Sequence, residues 1–414
     1  MFVGLHSEIE NLPAWALMWA LGVVVFFAVK LATAMAAGRS STGQWSAARL
    51  TLYATQTPTL DPAPFQRPRG RAISDADWWT GLVGVAAAAV VWVVIVPAAR
   101  LWSDWAGGMA VMAGVVCGLH FGVFRLMTAT WCAAGRDVRP IMDRPWVSTS
   151  LAEFWGRRWN VAFRDAAHRL LVCPLRRRLS PRWQALAVFL VSGLIHDVVM
   201  STPAGGWGGP TLYFLLQPLG MAAQRSALGR RLGLDRGSAG TIFTAAWLLL
   251  PLPLLFHRPF CANVMLPFFD WCAAWAGWEG RLPRRSLVRA GGWMQWSILI
   301  ASACVPASLN WRGELAKLSP LLRQMFWVYG GYVAGSIVAL GAASVFWSAE
   351  IAATPLGHGV AAATAAFWGV RLLVGLFWFD AGPFLRNRWL EAGYALLTLG
   401  FVTLTCVYGF IAAT

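Results

Sequence analysis

Lysine is almost missing from this chain of 414 residues, which holds only Lys30 and Lys317. Neither follows a glycine, so there is no Walker A phosphate loop. Charge of any kind is scarce: 13% of residues are Asp, Glu, Lys or Arg, against roughly 25% in an average soluble domain. The seven cysteines stand apart with no C-x-x-C pair, which argues against a zinc site and a disulfide framework. No histidines fall at H-x-x-x-H or H-x-x-H-H spacing, which argues against a membrane di-iron oxygenase needing many imidazole ligands. No internal repeat or low-complexity tract is visible. Tyrosine is sparse too, 6 residues beside 26 tryptophans.

What is abundant is oil. Hydrophobic residues make up 58% of the chain and the mean hydropathy is +0.56, the composition of an all-α, polytopic membrane protein. A bilayer core needs ~20 apolar residues per helix, and about ten segments meet that ruler, from Ala14–Ala37 to Leu390–Ala412. Pro210–Ala223 and Gly292–Ala307 are among them, while Pro259–Trp278 is ambiguous because it holds Pro267 and Asp270. The first apolar segment is preceded by Glu8 and Glu10 and by no Lys or Arg, so it reads as a retained span rather than a signal peptide.

The net charge of +16 is a matter of topology rather than nucleic-acid binding, since arginines collect on cytoplasmic loops. Five arginines lie between Arg39 and Arg71 and more between Arg136 and Arg182; both loops are expected in the cytoplasm, with the N-terminus outside. In the second half, Arg281–Arg289 and Arg312–Arg323 cannot share a side if Gly292–Ala307 crosses once. A boundary near 280–289 separates a first unit, 1–280, from a four-helix unit, 290–414.

Against this apolar background "STSLAEFWGRRWN", Ser148–Asn160, is a dense polar and aromatic cluster. At 3.6 residues per turn Glu153, Gly156, Arg157 and Asn160 share one face. Trp155 and Trp159 form a neighbouring indole edge suited to the headgroup boundary. The bland reading is an interfacial helix with a Glu153–Arg157 pair worth ~0.3–0.5 kcal/mol. A second anomaly is "WQALAVFLVSGLIHDVVM", Trp183–Met200, whose apolar run breaks at His196 and Asp197, with Ser192 one turn before the histidine. Ionisable groups at membrane depth cost ~2.5–3.5 kcal/mol on insertion scales and so tend to face a cavity and be functional; the bland alternative is that His196 meets water at the helix end. Among the other histidines His120 lies inside a span and is the one competitor, whereas His168 reads as solvated. Arg371 is also at apparent membrane depth, where a structural pairing is expected.

"SLAEFWGRRWN" followed by "SGLIHD" resembles the wax synthase-like branch of the membrane-bound O-acyltransferase superfamily. The resemblance extends over roughly 1–275 and takes in "FFAVKLAT", the Pro58–Arg71 loop and "LLFHRPFCANVMLPF". It implies a many-helix enzyme that moves an acyl group from acyl-CoA, a co-substrate, to a hydroxyl acceptor such as a fatty alcohol, with no cofactor or metal. The family's catalytic histidine falls on His196 and its motif asparagine on Asn160. Trp155, Arg157, Arg158, Trp159 and Ser192 are candidate substrate-binding residues, and Arg164, Arg169 and Arg176–Arg178 join the arginines available to CoA phosphates. Adjacent helical residues point ~100° apart, so Asp197 is not expected to act directly with His196. Two alternatives stay open: an acceptor that is a glycan or secreted metabolite, and a non-catalytic transporter or scaffold, though the symmetric halves of many transporters are missing. The preference for Arg over Lys and the many alanines suggest a bacterial cytoplasmic membrane.

Overall fold

The computed structural model describes residues 12–37, 51, 53–55, 57–60, 62, 75–136, 138–276, 284–303, 305–379 and 388–413. These residues form helices and no β-strand. Among the described residues eight helices are long and apolar enough to cross a membrane, and the large apolar side chains left exposed on them, such as Val24, Leu31, Met35 and Leu250, suit lipid rather than water. Two of the ten expected spans fall short of this standard. The helix over Pro210–Ala223 is Gly209–Arg225, with 17 residues and buried Gln217 and Gln224. The helix over Gly292–Ala307 starts earlier, at Arg284, and carries Arg285 and Arg289 in its first turns.

The chain folds as two compact units, one of residues 1–88 and 102–277, the other of residues 89–101 and 278–414. Residues 89–101 thus belong with the second unit, although they precede the boundary near 280–289 that the sequence suggests.

In the first unit, α1 (Ala14–Ala37) is followed by the start of α2 (Trp78–Arg100) and by α3 (Asp104–Ala133). Two short helices, α4 (151–158) and α5 (161–175), carry the polar cluster and its continuation. Next come α6 (Pro181–Ala204), α7 (Gly209–Arg225), α8 (Gly237–Leu255) and α9 (258–275). The turn between α6 and α7 is short, which makes them an antiparallel hairpin. Their close approach requires Gly193: a Cβ there would lie 2.6 Å from Thr211 Cα. Gly108 does the same where α3 meets α9, 2.7 Å from Cys261 Cα.

Lys30, deep in α1, shows how this unit handles a buried charge. Its ammonium donates to Thr57 O at 2.7 Å, Thr57 Oγ1 at 3.1 Å and Ala54 O at 3.2 Å, and lies 4.4 Å from the Tyr53 ring and 4.9 Å from the Phe26 ring. All three N–H donors are satisfied. One turn on, Thr33 Oγ1 donates to Leu60 O, so α1 pins the 53–60 segment along its side.

In the second unit α10 (Arg284–Ser302), α11 (Pro320–Phe346), α12 (Pro355–Phe377) and α13 (Arg388–Ala413) surround a core that includes Val288, Trp368, Leu404, Tyr408 and Ile411. At its centre Gln295 donates to Tyr408 Oη at 2.9 Å and accepts from Trp368 Nε1 at 3.3 Å, while Tyr408 donates to Ser344 Oγ at 2.6 Å. Buried polar groups in such a core are tolerated because each finds a partner.

Candidate active site

The polar cluster begins with a capped helix start. Ser150 Oγ accepts from the Glu153 amide at 3.2 Å, as an N-cap serine does, and the Glu153 carboxylate reaches back past the cap to accept from the Thr149 amide at 2.9 Å. The helix then widens: residues Phe154–Arg158 form a π-turn, with Trp159 N–H donating to Phe154 O at 2.8 Å. The wider turn moves Glu153's partner one residue along. Arg158 Nη2, not Arg157, meets Glu153 Oε1 at 2.5 Å, and Arg157 is left exposed. Burial works to raise the Glu153 pKa, but the bonds from Thr149 and Arg158 outweigh it and hold the carboxyl below its ordinary value.

The shared helical face ends there. Trp159 is extended and Asn160 takes φ 42°, ψ 58°, where it caps α5 by accepting the Phe163 amide on its side-chain oxygen at 3.2 Å. Asparagine tolerates this left-handed backbone better than most residues. The capping role consumes Oδ1 and leaves the Nδ2 donors available. The two tryptophans of the cluster are packed rather than lipid-facing. Trp155 donates to Gln217 Oε1 at 3.3 Å and sits 5.7 Å from both the Phe189 and Phe214 rings. Trp159 stacks on Phe154 at 5.3 Å and on His120 at 6.5 Å.

His196 approaches from α6. Its Nδ1 lies 2.7 Å from Ser192 O; a carbonyl only accepts, so Nδ1 carries the hydrogen and a neutral ring has its free lone pair on Nε2. The ring rests 4.5 Å from the Phe214 ring. Asp197 is turned elsewhere. It is buried and accepts from Ser201 Oγ at 2.7 Å, from the Gly208 amide at 2.9 Å, and from both the amide and the hydroxyl of Thr211. It thereby ties the end of α6 to the start of α7, as the ~100° offset from His196 requires. Ser201 also meets His257 Nε2 at 3.1 Å. Burial lowers the His257 pKa and the Asp197 carboxylate partly restores it.

These elements enclose a cavity of about 230 Å³ lined by Trp155, Trp159, Asn160, Ser192 and His196. Five of the seven residues singled out in the sequence are therefore brought together, and Arg157 and Arg158 are not among the lining. Arg164 and His168 line it instead, both exposed; Arg164 is steadied by Gly156 O at 2.8 Å and by Asp165. His168, read as merely solvated, is thus part of the site. Phe189 and Phe214, which wall the cavity, gave no signal in the sequence because they are apolar residues on apolar helices. His120 touches Trp159 but is not a lining residue. Among the described residues no cluster of His, Cys, Asp or Glu could hold a metal ion.

A helical protein of the membrane with an imidazole and an amide sharing one cavity is the class that this fold and site define. Residues 138–216, which span both Asn160 and His196, match the Membrane bound O-acyl transferase family. Relatives include probable long-chain-alcohol O-fatty-acyltransferase 9 of Arabidopsis thaliana, 31% identical over 32% of this chain and 43% of the relative. The long-chain-alcohol O-fatty-acyltransferase of Simmondsia chinensis is 32% identical over 28% of this chain and 39% of its own, and probable long-chain-alcohol O-fatty-acyltransferase 7 of Arabidopsis thaliana is 33% identical over 28% and 40%. The matches span about two fifths of the length of these relatives. Over this stretch the chain is similar to the wax synthase-like branch of the membrane-bound O-acyltransferases, the family that the two motifs resemble. No solved structure matches.

Proposed function

We propose that the protein is an acyl-CoA:alcohol O-acyltransferase acting within the membrane on a long-chain alcohol. The observation that carries this reading is the joint presence of His196 and Asn160 on one cavity, with Nε2 of the imidazole free to accept a proton. An alcohol, whose pKa lies far above 7, needs a base at the moment it attacks a thioester. His196 Nε2 takes the hydroxyl proton as the alcohol oxygen bonds to the acyl carbon. The carbon–sulfur bond then breaks, and the proton passes to the departing CoA thiolate, giving an ester and free CoA. Asn160 Nδ2 donates to the thioester carbonyl as negative charge gathers on its oxygen, an interaction worth ~2.7–4 kcal/mol.

The exposed arginines Arg157 and Arg176–Arg178, with Arg164 on the cavity, suit the phosphates of CoA. The aromatic wall of Trp155, Phe189 and Phe214 suits an apolar chain better than a glycan. The relatives named for long-chain alcohols point the same way. Those relatives are plant proteins and lend no support to the bacterial cytoplasmic membrane read from composition. The test is chemical: purified protein supplied with a long-chain acyl-CoA and a long-chain primary alcohol is expected to form the ester, seen by mass spectrometry. Absence of ester with every alcohol tried, from fatty to sugar, would favour a non-catalytic role.

A further inference from the structure

Two glutamines are buried in the apolar helix α7, and their partners differ in kind. Gln224 ties segments of the chain together: its Oε1 accepts from the Leu151 amide at 3.0 Å, and its Nε2 donates to Leu234 O at 2.6 Å and to Thr244 Oγ1 at 3.2 Å. Gln217, about two turns earlier on the same face and wholly buried, holds a side chain of the cavity wall instead. Its Oε1 accepts from Trp155 Nε1 at 3.3 Å, and its Nε2 donates to Tyr213 O at 3.0 Å.

The bond to Tyr213 decides which way the Gln217 amide points. A carbonyl only accepts and an indole N–H only donates. Turning the amide over would set its NH₂ against the indole N–H and its oxygen against Tyr213 O, losing both bonds where unpaired polar groups are costly. The acceptor offered to Trp155 is therefore fixed in place.

The indole held by this acceptor shapes the apolar side of the cavity. It lies 5.7 Å from the Phe189 ring, edge-on, and 5.7 Å from the Phe214 ring. Phe214 in turn packs at 4.5 Å against the ring of His196. All four side chains line the cavity, and Gln217 does not. The outer torsion of a tryptophan side chain is broad, so the bond at the ring edge is what sets the plane of the indole. Rotation of that plane would move the wall and press on the phenyl group beside the imidazole.

We propose that Gln217 is a positioning residue: by holding the N–H of Trp155 it fixes the plane of the indole, and with it the length of alkyl chain that the cavity accepts beside His196. This rests on the reading of the cavity as the site of acyl transfer. A glutamine that only supported the fold would change the amount of folded protein and leave the choice between two substrates untouched.

The experiment is competition in the purified full chain. Decanoyl-CoA and hexadecanoyl-CoA are supplied together with one alcohol, then decanol and hexadecanol together with one acyl-CoA, and the ratio of the two esters is read by mass spectrometry. That ratio reports relative kcat/KM and does not depend on how much of the protein is folded. Wild type is compared with Q217M, W155F and the double variant; methionine keeps the length and flexibility of glutamine without its acceptor, and phenylalanine keeps a ring without the N–H. Q217M is expected to move at least one ratio by roughly tenfold, the low end of what one fitted methylene is worth in an apolar pocket, and to move neither ratio further in the W155F background. Wild-type ratios in Q217M would overturn the proposal. So would an equal shift by Q217M in W155F, because the effect would then bypass the indole. Should Q217M fail to fold, wild-type ratios in W155F would overturn it. If the wild type forms no ester, the acyl-transfer reading fails, and the ratio in which the unreacted protein retains the two acyl-CoAs in native mass spectrometry carries the same comparison: a shift in Q217M upholds the positioning role, and identical retention overturns it.

Discussion

Asn160 accepts the Phe163 amide on its side-chain oxygen while its own backbone stands in the left-handed region. One end of the amide therefore holds α5 and the other is left for substrate. The substitution N160D separates the two tasks, because aspartate can cap and can adopt the same backbone but has no N–H to donate. We expect N160D to unfold near the wild-type temperature and to lose ~10²–10³ in turnover, whereas N160A also loses ~0.5–2 kcal/mol of stability with the cap. Wild-type turnover in N160D would remove the amide from the mechanism.

The Glu153–Arg158 pair sets a pH dependence of stability. The folded pKa of Glu153 is held below the ordinary value of 4.5, so its contribution is present above that value and is lost as the pH falls beneath it. Thermal unfolding followed across this range should show a shallower acid decline in E153Q than in wild type. Superimposable acid limbs would mean that the pair contributes nothing to the fold.

The α6–α7 hairpin depends on an absent side chain. In G193A the new methyl would meet Thr211 Cα at 2.6 Å, backbone that cannot move without parting the helices. A loss of ~1–3 kcal/mol is expected from such overpacking, read as a lower unfolding temperature in detergent. Unchanged stability would show that the hairpin is looser than its geometry.

Asp197 is predicted to matter for stability. D197N sets an amide N–H₂ among the donors of Ser201, Gly208 and Thr211, leaving buried groups unsatisfied at a cost of ~1–3 kcal/mol. T211V, which removes one hydroxyl donor, should cost less. Equal stability of D197N and wild type in calorimetry would contradict this assignment.

The spans and the two motifs could be read from the sequence because apolar runs and isolated intramembrane charges follow directly from the cost of placing polar groups in lipid. His196 and Ser192 stand out by that cost, Asn160 and the two tryptophans as a polar and aromatic cluster in an apolar chain; the structure brings all five to one cavity, and the roles of His196 and Asn160 come from the resemblance. The Glu153 partner was misread because a π-turn adds a residue to the helical repeat without leaving a mark in the hydrophobic pattern. The same turn ends the face on which Asn160 was placed, so its route to the cavity is through a cap rather than a helix surface. Phe189 and Phe214 were hidden because periodicity does not tell which apolar residues of a buried helix face a cavity, and His168 because polar neighbours in sequence do not show which way a short helix is turned. Lys30, whose place in the apolar stretch "FFAVKLAT" gave no partner, is fully coordinated by backbone and hydroxyl oxygens of a distant segment.

The central claim is that Nε2 of His196 removes the alcohol proton. Its most direct measurement is alcohol-dependent release of CoA thiol by purified wild type and H196A at equal folded concentration. The account predicts alcohol-dependent release by wild type and a rate lower by ~10²–10⁴ in H196A, with substrate binding retained. Release at the wild-type rate by folded H196A would contradict it.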